Sequence, residues 1–110
     1  MQLPNCLQAY IPHQKLRAYL LSETHAVGKA KAKFFRALGF NETNISLLEQ
    51  GLLTIAHGAT VQDVVASPHG TKYVLEGVLE TPGGTSPRIR TIWILEPGEE
   101  HPRFVTAYPA

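Results

Sequence analysis

The sequence predicts an α+β fold in which about three N-terminal helices pack on a four-stranded antiparallel sheet. Apolar residues recur at intervals of three or four up to residue 58, and the pattern then changes to short runs rich in β-branched and aromatic residues. The connections between these runs are too short for crossover helices, so we expect antiparallel hairpins. Helices followed by strands are typical of the α+β class.

The composition indicates a single folded domain over residues 1–110. Its hydrophobic fraction is 44% and its charged fraction 17%, which are ordinary values for a globular chain. Cys6 is the only cysteine, so it cannot form an intramolecular disulfide, and we expect a small apolar residue rather than a nucleophile. The N-terminal residues lack the features of a signal peptide, and no stretch approaches the roughly 20 apolar residues of a membrane helix. We therefore expect a cytoplasmic protein with no membrane partner, unless a larger secretion system carries the chain.

The first helix is predicted at about 13–22. Pro12 suits a first helical turn, where its missing N–H group costs nothing. Leu16, Tyr19 and Leu20 follow at helical spacing and form its apolar side.

The second helix is the clearest one in the pattern. Gly39 suits the left-handed residue that ends many helices, and Phe40 supplies the apolar contact of a Schellman ending. An apolar stripe and a basic opposite face precede this ending. The stripe consists of Val27, Ala30, Phe34 and Leu38, and the basic face of Lys29, Lys33 and Arg36.

A third helix is predicted from Asn44, a favourable N-cap residue, to Gly58. Gly51 in its interior weakens the prediction, because glycine costs up to about 1 kcal/mol in a helix. In the second half of the chain, Gly77 lies within a predicted strand and indicates either a bulge or a close backbone approach. The four strands are predicted at 60–66, 71–81, 88–95 and 103–108.

Charge is distributed unevenly, although the net charge is only +1. Residues 1–40 contain six basic and one acidic residue, whereas residues 41–110 contain four basic and eight acidic residues. This asymmetry indicates an anionic partner on the helical side. Two alternatives remain open: the two halves attract each other, or the charges form a solvated helix face.

A first candidate site lies at the start of the second helix. If that helix begins near residue 26, His25 lies at its N-terminus, beside Lys29 and Lys33. Exposed backbone N–H groups, an imidazole and nearby ammonium groups together can bind phosphate. The alternative is again an ordinary helix end with a solvated basic face.

A second candidate site lies on the sheet. Arg88 and Arg90 are two positions apart and should therefore share one face of a strand. Phe104, Thr106 and Tyr108 should likewise share a face of the last strand. Arginine beside hydroxyl groups can bind a phosphate and its transition-state charge. The alternatives are that the arginines protect a sheet edge and that Tyr108 closes the core.

These residue types fit a cleavage of RNA that needs no metal, because RNA supplies its own nucleophile, the 2′-OH group. No histidine or cysteine pair has metal-ligand spacing, and common cofactor motifs are absent, so we expect no metal and no cofactor. The candidate catalytic residues are His25, Lys29, Lys31, Thr106 and Tyr108. The candidate phosphate-binding or substrate-binding residues are Lys33, Arg36, Arg88 and Arg90.

Four segments, at 15–21, 25–35, 38–40 and 103–109, resemble an uncharacterised bacterial domain family. Members of that family occur as small free-standing proteins and as C-terminal domains of polymorphic toxins. The resemblance implies the barnase, EndoU, colicin and RelE-like ribonuclease fold. It also implies an acidic immunity or antitoxin partner that covers the basic helical face.

The resemblance bears on individual residues as well. The family's polar motif positions match His25, Lys29, Lys31, Thr106 and Tyr108. The assignment of the arginines at positions 88 and 90 comes from the strand pattern alone.

Three functional hypotheses follow, and whether the protein is an enzyme stays open among them. In the first it is an endoribonuclease of the toxin type that cleaves RNA through the 2′-OH group. In the second it is a non-catalytic interaction module that binds an acidic partner protein through its basic helical face. In the third it binds nucleic acid without cleaving it, with an affinity that falls steeply as salt increases.

Overall fold

A computed structural model describes residues 1–22 and 29–110 and has the predicted α+β architecture. A 3-10 turn (Cys6–Gln8) precedes a helical segment that is α-helical in its first turn and π-helical after it. The helices are α1 (His13–Lys15), the π-helical segment (Leu16–Leu20), α2 (Lys29–Ala37) and α3 (Ile45–Gly58). The strands are β1 (Val61–Ser67), β2 (Gly70–Val78), β3 (Arg88–Leu95) and β4 (Arg103–Pro109). Within the described ranges, no helix is long and apolar enough to cross a membrane.

The four strands form one antiparallel sheet in the order β1-β2-β3-β4, as the short connections predict. The register of β4 against β3 shifts between Ile92 and Trp93, which pair with Thr106 and Phe104. Val105 therefore has no partner and forms a bulge. Consequently Phe104 lies on the opposite face from Thr106, and the prediction that these two residues share a face is wrong.

The hydrophobic core lies between the helices and one face of the sheet, which we call the core face. Trp93 is fully buried there and meets the Phe104 ring edge-on, with 5.3 Å between the ring centres. Its indole N–H donates to the hydroxyl of Thr91 at 2.9 Å. Burial of each large apolar side chain contributes about 1.5–3 kcal/mol. The helical layer supplies the facing side chains, among them Leu16, Leu20, Phe35, Leu48 and Leu52.

The end of α2 confirms the predicted Schellman motif. Gly39 has a φ of 103°, its N–H donates to the carbonyl of Arg36 at 3.0 Å, and the N–H of Phe40 donates to Phe35 at 3.2 Å. Phe40 is buried, as expected of the contact that accompanies this ending.

The predicted apolar stripe of α2 is correct only in part. Phe34 and Leu38 pack against the core, but the fully buried side of the helix is rotated from them. Ala32 and Phe35 are its buried residues, whereas Ala30 is exposed and Phe34 is half-buried; Val27 lies outside the described residues. Two phenylalanines are adjacent in the sequence, so the pattern allowed either to face the core. Phe34 packs edge-on against Phe35, with 5.1 Å between the ring centres, and covers the margin of the core.

Helix α3 begins after Asn44, as predicted, although this side chain makes no capping bond to the helix. Instead the amide of Asn44 accepts from the N–H of Asn41 at 2.8 Å and donates to the carbonyl of Gly39 at 3.0 Å, which joins α3 to the end of α2. Buried Leu52 and Ile55 belong to its apolar side.

Both interior glycines of this region allow α3 to lie close to β2. A Cβ atom at Gly51 would overlap Cδ1 of Leu79, directly after β2, and one at Gly77 would lie 2.9 Å from Cγ1 of Ile55. Of the two readings of Gly77, the structure therefore supports close approach, because the register of β2 is regular at this position.

Candidate functional site

The sheet face opposite the core, which we call the outer face, carries a polar cluster across β2, β3 and β4. Arg90 pairs in register with Glu76 on one side and with Tyr108 on the other. Side chains of directly paired residues project from the same face of a sheet. The next outer-face position of β4 is Thr106, so register alone assembles an arginine, a carboxylate and two hydroxyl groups.

A carboxylate holds the two arginines of this cluster. Oε2 of Glu76 accepts from Nε of Arg90 at 3.2 Å and from Nη2 at 2.6 Å. Nη2 of Arg88 lies 3.8 Å from the other oxygen, Oε1. The Glu76 carboxylate, followed by the side chain of Tyr108, raises the pKa of Arg90. Arg90 therefore keeps its full positive charge beside the phenol.

Helix α2 brings Lys31 to the same place past the edge of the sheet, which β4 forms. Its ammonium nitrogen lies 5.8 Å from the centre of the Tyr108 ring, within the range of a cation–π interaction. Lys31 is half-buried on α2, because it lies next to the face that carries the buried residues of this helix. Two cations, Lys31 and Arg90, thus approach one tyrosine from different elements.

Tyr19 of the π-helical segment completes the cluster. Its hydroxyl lies 3.1 Å from the hydroxyl of Thr106, and the Lys15 ammonium lies 4.9 Å from the centre of its ring. The sequence pattern assigned Tyr19 to the apolar side of the first helix and contained no sign of this contact. Glu76 was missed for a similar reason, since its partner is visible only once the register of β2 and β3 is known.

The positions of the arginines and Tyr108 decide between alternatives that the sequence left open. β3 is an interior strand, so Arg88 and Arg90 do not protect a sheet edge. Tyr108 lies on the outer face and does not close the core, a role that Phe104 and Ala107 fill from the same strand.

The remaining predicted residues of α2 lie apart from the cluster. Lys29 and Lys33 are exposed on the helix face that points away from the core. The guanidinium of Arg36 donates to the carbonyl of Leu21 at 2.6 and 3.0 Å and also pairs with Glu42. Arg36 thus ties α2 to the end of the π-helical segment and to the loop after α2. His25, the predicted general base or acid, lies outside the described residues.

A groove of about 350 Å³ opens between α3 and the end of β2, and none of the predicted site residues that the structure describes lines it. Exposed Leu47 and Val78 line it, together with Glu80. We place the candidate site at the outer-face cluster because its groups are cationic and hydroxylic. Within residues 1–22 and 29–110, no three histidine, cysteine, aspartate or glutamate side chains are grouped so that they could hold a metal ion.

The fold resembles that of a chain in a solved protein complex. A chain of the contact-dependent growth inhibition toxin–immunity protein complex from Klebsiella pneumoniae 342 superposes with a TM-score of 0.75. The match covers 94% of this chain and 95% of that chain, at 12% sequence identity. At this identity the match defines a shared fold.

The chain belongs to the family described as Domain of unknown function (DUF6883), whose model matches residues 2–110. Among curated proteins, none matches the chain in sequence.

Proposed function

We propose that this domain is a metal-independent endoribonuclease of the toxin type that acts at the outer face of β3 and β4. The observation that carries the proposal is the convergence of Lys31, Arg90 and two hydroxyl residues, Thr106 and Tyr108, from three elements. Its fold, shared with a chain of a toxin–immunity protein complex, supports a toxin-related or immunity-related role. Action on cellular RNA requires that the domain work in the cytoplasm.

The proposed reaction is an internal transesterification of RNA. The 2′-oxygen attacks the adjacent phosphorus, the bond from phosphorus to the 5′-oxygen breaks, and the products are a 2′,3′-cyclic phosphate and a 5′-hydroxyl. One proton leaves the 2′-OH group and another reaches the departing 5′-oxygen, so the step needs a base and an acid. His25 is the proposed proton-transfer residue, on the basis of the sequence motif.

The described residues supply the electrostatic part of this reaction. Arg90 and Arg88 bind the phosphate oxygens, and Lys31 adds positive charge above Tyr108. The hydroxyls of Tyr108 and Thr106 donate to the oxygens whose charge increases in the transition state. Groups fixed in this way stabilise that charge without having to reorganise during the reaction.

The test is cleavage of total cellular RNA and of tRNA in the presence of EDTA. Wild type should cut, His25→Ala should not, and Tyr108→Phe should cut on the order of 10²-fold more slowly. Lys72→Ala is the matched control, because this exposed residue of β2 lies four positions, or about 13 Å, from Glu76. Circular dichroism should show that all four proteins are folded. Absence of cleavage by folded wild-type protein would overturn the proposal.

Exposed lysines favour a second candidate function, a non-catalytic module that binds an acidic partner. Lys29 and Lys33 project from α2 without entering the cluster, and the structurally similar chain comes from a complex with an immunity protein or its toxin. An acidic antitoxin or immunity protein would fit this helix face. A Lys29→Glu, Lys33→Glu double variant should lose the binding of a neighbour-encoded acidic protein. A plain nucleic-acid binder would instead show steep salt dependence and no requirement for His25.

A further inference from the structure

We infer that Glu76 is a positioning residue, which fixes the guanidinium of Arg90 beside Tyr108 in the orientation that binds a phosphodiester. The inference rests on the proposed function. It adds Glu76 as a residue that acts through Arg90 and does not itself touch the RNA. None of the candidate site residues of the sequence analysis is a carboxylate.

The geometry of the pair supports this role. Arg90 uses Nε and one N–H of Nη2 on the single oxygen Oε2 of Glu76, at 3.2 and 2.6 Å. A guanidinium has five N–H donors in one plane, so both donors of Nη1 and the second donor of Nη2 point away from the carboxylate. The bond to Glu76 thus fixes the plane of the group while leaving three donors for Tyr108 and a phosphate.

Glu76 and the two arginines differ in how far they are exposed to solvent. The side chain of Glu76 is 18% exposed, whereas that of Arg90 is 41% exposed and that of Arg88 is 60% exposed. The carboxylate is therefore less accessible than the two guanidinium groups, and a polyanion meets the arginines first. A carboxylate so placed orients the cations and faces little of the approaching RNA.

The chain contains a matched pair elsewhere. Arg103 donates through Nε and Nη2 to the single oxygen Oε1 of Glu96, at 2.9 and 2.7 Å. This pair has the same geometry, but neither residue belongs to the outer-face cluster, and Glu96 is 44% exposed. Glu96→Gln is therefore the control for Glu76→Gln, because each removes one carboxylate charge from the same kind of ion pair.

The experiment measures two properties of wild type, Glu76→Gln, Glu76→Asp and Glu96→Gln. The first is the NMR signal of the Arg90 Nε–H group during titration with inorganic phosphate. The second is cleavage of an oligoribonucleotide, analysed as separate kcat and KM values. Wild type and Glu96→Gln should show a sharp Arg90 signal that shifts with phosphate. In Glu76→Gln the signal should broaden and kcat should fall on the order of 10²-fold, the usual effect of losing one oriented transition-state donor.

Glu76→Asp retains the charge and should recover part of kcat, which a merely structural role would not predict. It also serves as the test variant if Glu76→Gln does not fold. Equal kcat values for Glu76→Gln and Glu96→Gln would overturn the inference. Tighter phosphate binding by Glu76→Gln would also overturn it, because Glu76 would then compete with the phosphate for Arg90. If wild type cuts no RNA but Glu76→Gln still disorders Arg90 and weakens phosphate binding, the proposed function fails while the positioning of Arg90 by Glu76 stands.

Discussion

The two faces of strands β2 to β4 are built from alternating residues of the same segments, yet they have different physical roles. On the core face, Leu75, Trp93 and Ala107 are fully buried and pack against the helices. On the outer face, Glu76 and Arg90 form a charged pair next to Tyr108. The core face explains why the sheet folds in this register, whereas the charged pair on the outer face is partly exposed and adds little apolar burial. Substitutions on the two faces should therefore separate stability from activity.

The largest effect is expected on the core face. Trp93→Ala removes a fully buried indole, its edge-on contact with Phe104 and its hydrogen bond to Thr91. Such substitutions typically lower the free energy of unfolding by about 3–5 kcal/mol. Urea unfolding followed by fluorescence of the tyrosines or by circular dichroism measures this loss. A loss below 1 kcal/mol would show that the core is not organised around this residue.

On the outer face, Tyr108→Phe should reduce kcat/KM for RNA on the order of 10²-fold while leaving the free energy of unfolding within about 0.5 kcal/mol of wild type. The hydroxyl is lost, but the ring beneath Lys31 remains. Cleavage assays and urea unfolding on the same preparation measure both quantities. Parallel losses of activity and stability would contradict the separation of the two faces.

An intermediate effect on stability is expected where β2 meets α3. Gly77→Ala places a methyl group 2.9 Å from Cγ1 of Ile55, so the helix or this side chain must move. Overpacking of this kind costs about 1–3 kcal/mol. Thermal unfolding measures it, with Gly58→Ala as the control because a Cβ atom there meets no atom within 4 Å. Equal melting temperatures of the two variants would argue against the close approach.

The smallest effect concerns an exposed ion pair outside both faces. A hydrogen bond from Arg36 lowers the pKa of Glu42 below its ordinary value of 4.5. Because the pKa is lower in the folded state, the pair stabilises the fold above pH 4.5, and this stabilisation is lost as pH falls through the lowered value. Glu42→Gln should therefore be less stable than wild type at pH 7, and the difference should be smaller at pH 3. Chemical unfolding at both values tests this, and a difference that grows towards pH 3 would contradict it.

The sequence predicted the elements well because each depends on local pattern. The change from helical to strand periodicity defined the order of helices and strands, and the Gly39–Phe40 pair identified the end of α2. Which side of α2 faces the core was not predictable, because Phe34 and Phe35 satisfy the helical period equally well. The bulge at Val105 was not predictable either, because an extra residue in a strand leaves no local signature in this segment.

The candidate site was predictable only in part. Arg88, Arg90, Thr106 and Tyr108 could be found as polar residues in strands, and Lys31 as part of a motif. Their convergence, and the presence of Glu76 among them, depend on strand register and on helix rotation. Both are set by packing between segments that are distant in the sequence, which single-sequence periodicity does not encode.

Because of the bulge at Val105, the number of residues in β4 decides which of its side chains reach each face of the sheet. Downstream of it, Thr106 and Tyr108 reach the outer face, while Phe104 upstream fills the core. Loss of one residue here would restore strict alternation and move either the hydroxyls inward or the phenylalanine outward. During divergence, insertions and deletions should therefore accumulate in the turns of this family and be excluded from its last strand, even where the amino acids themselves change.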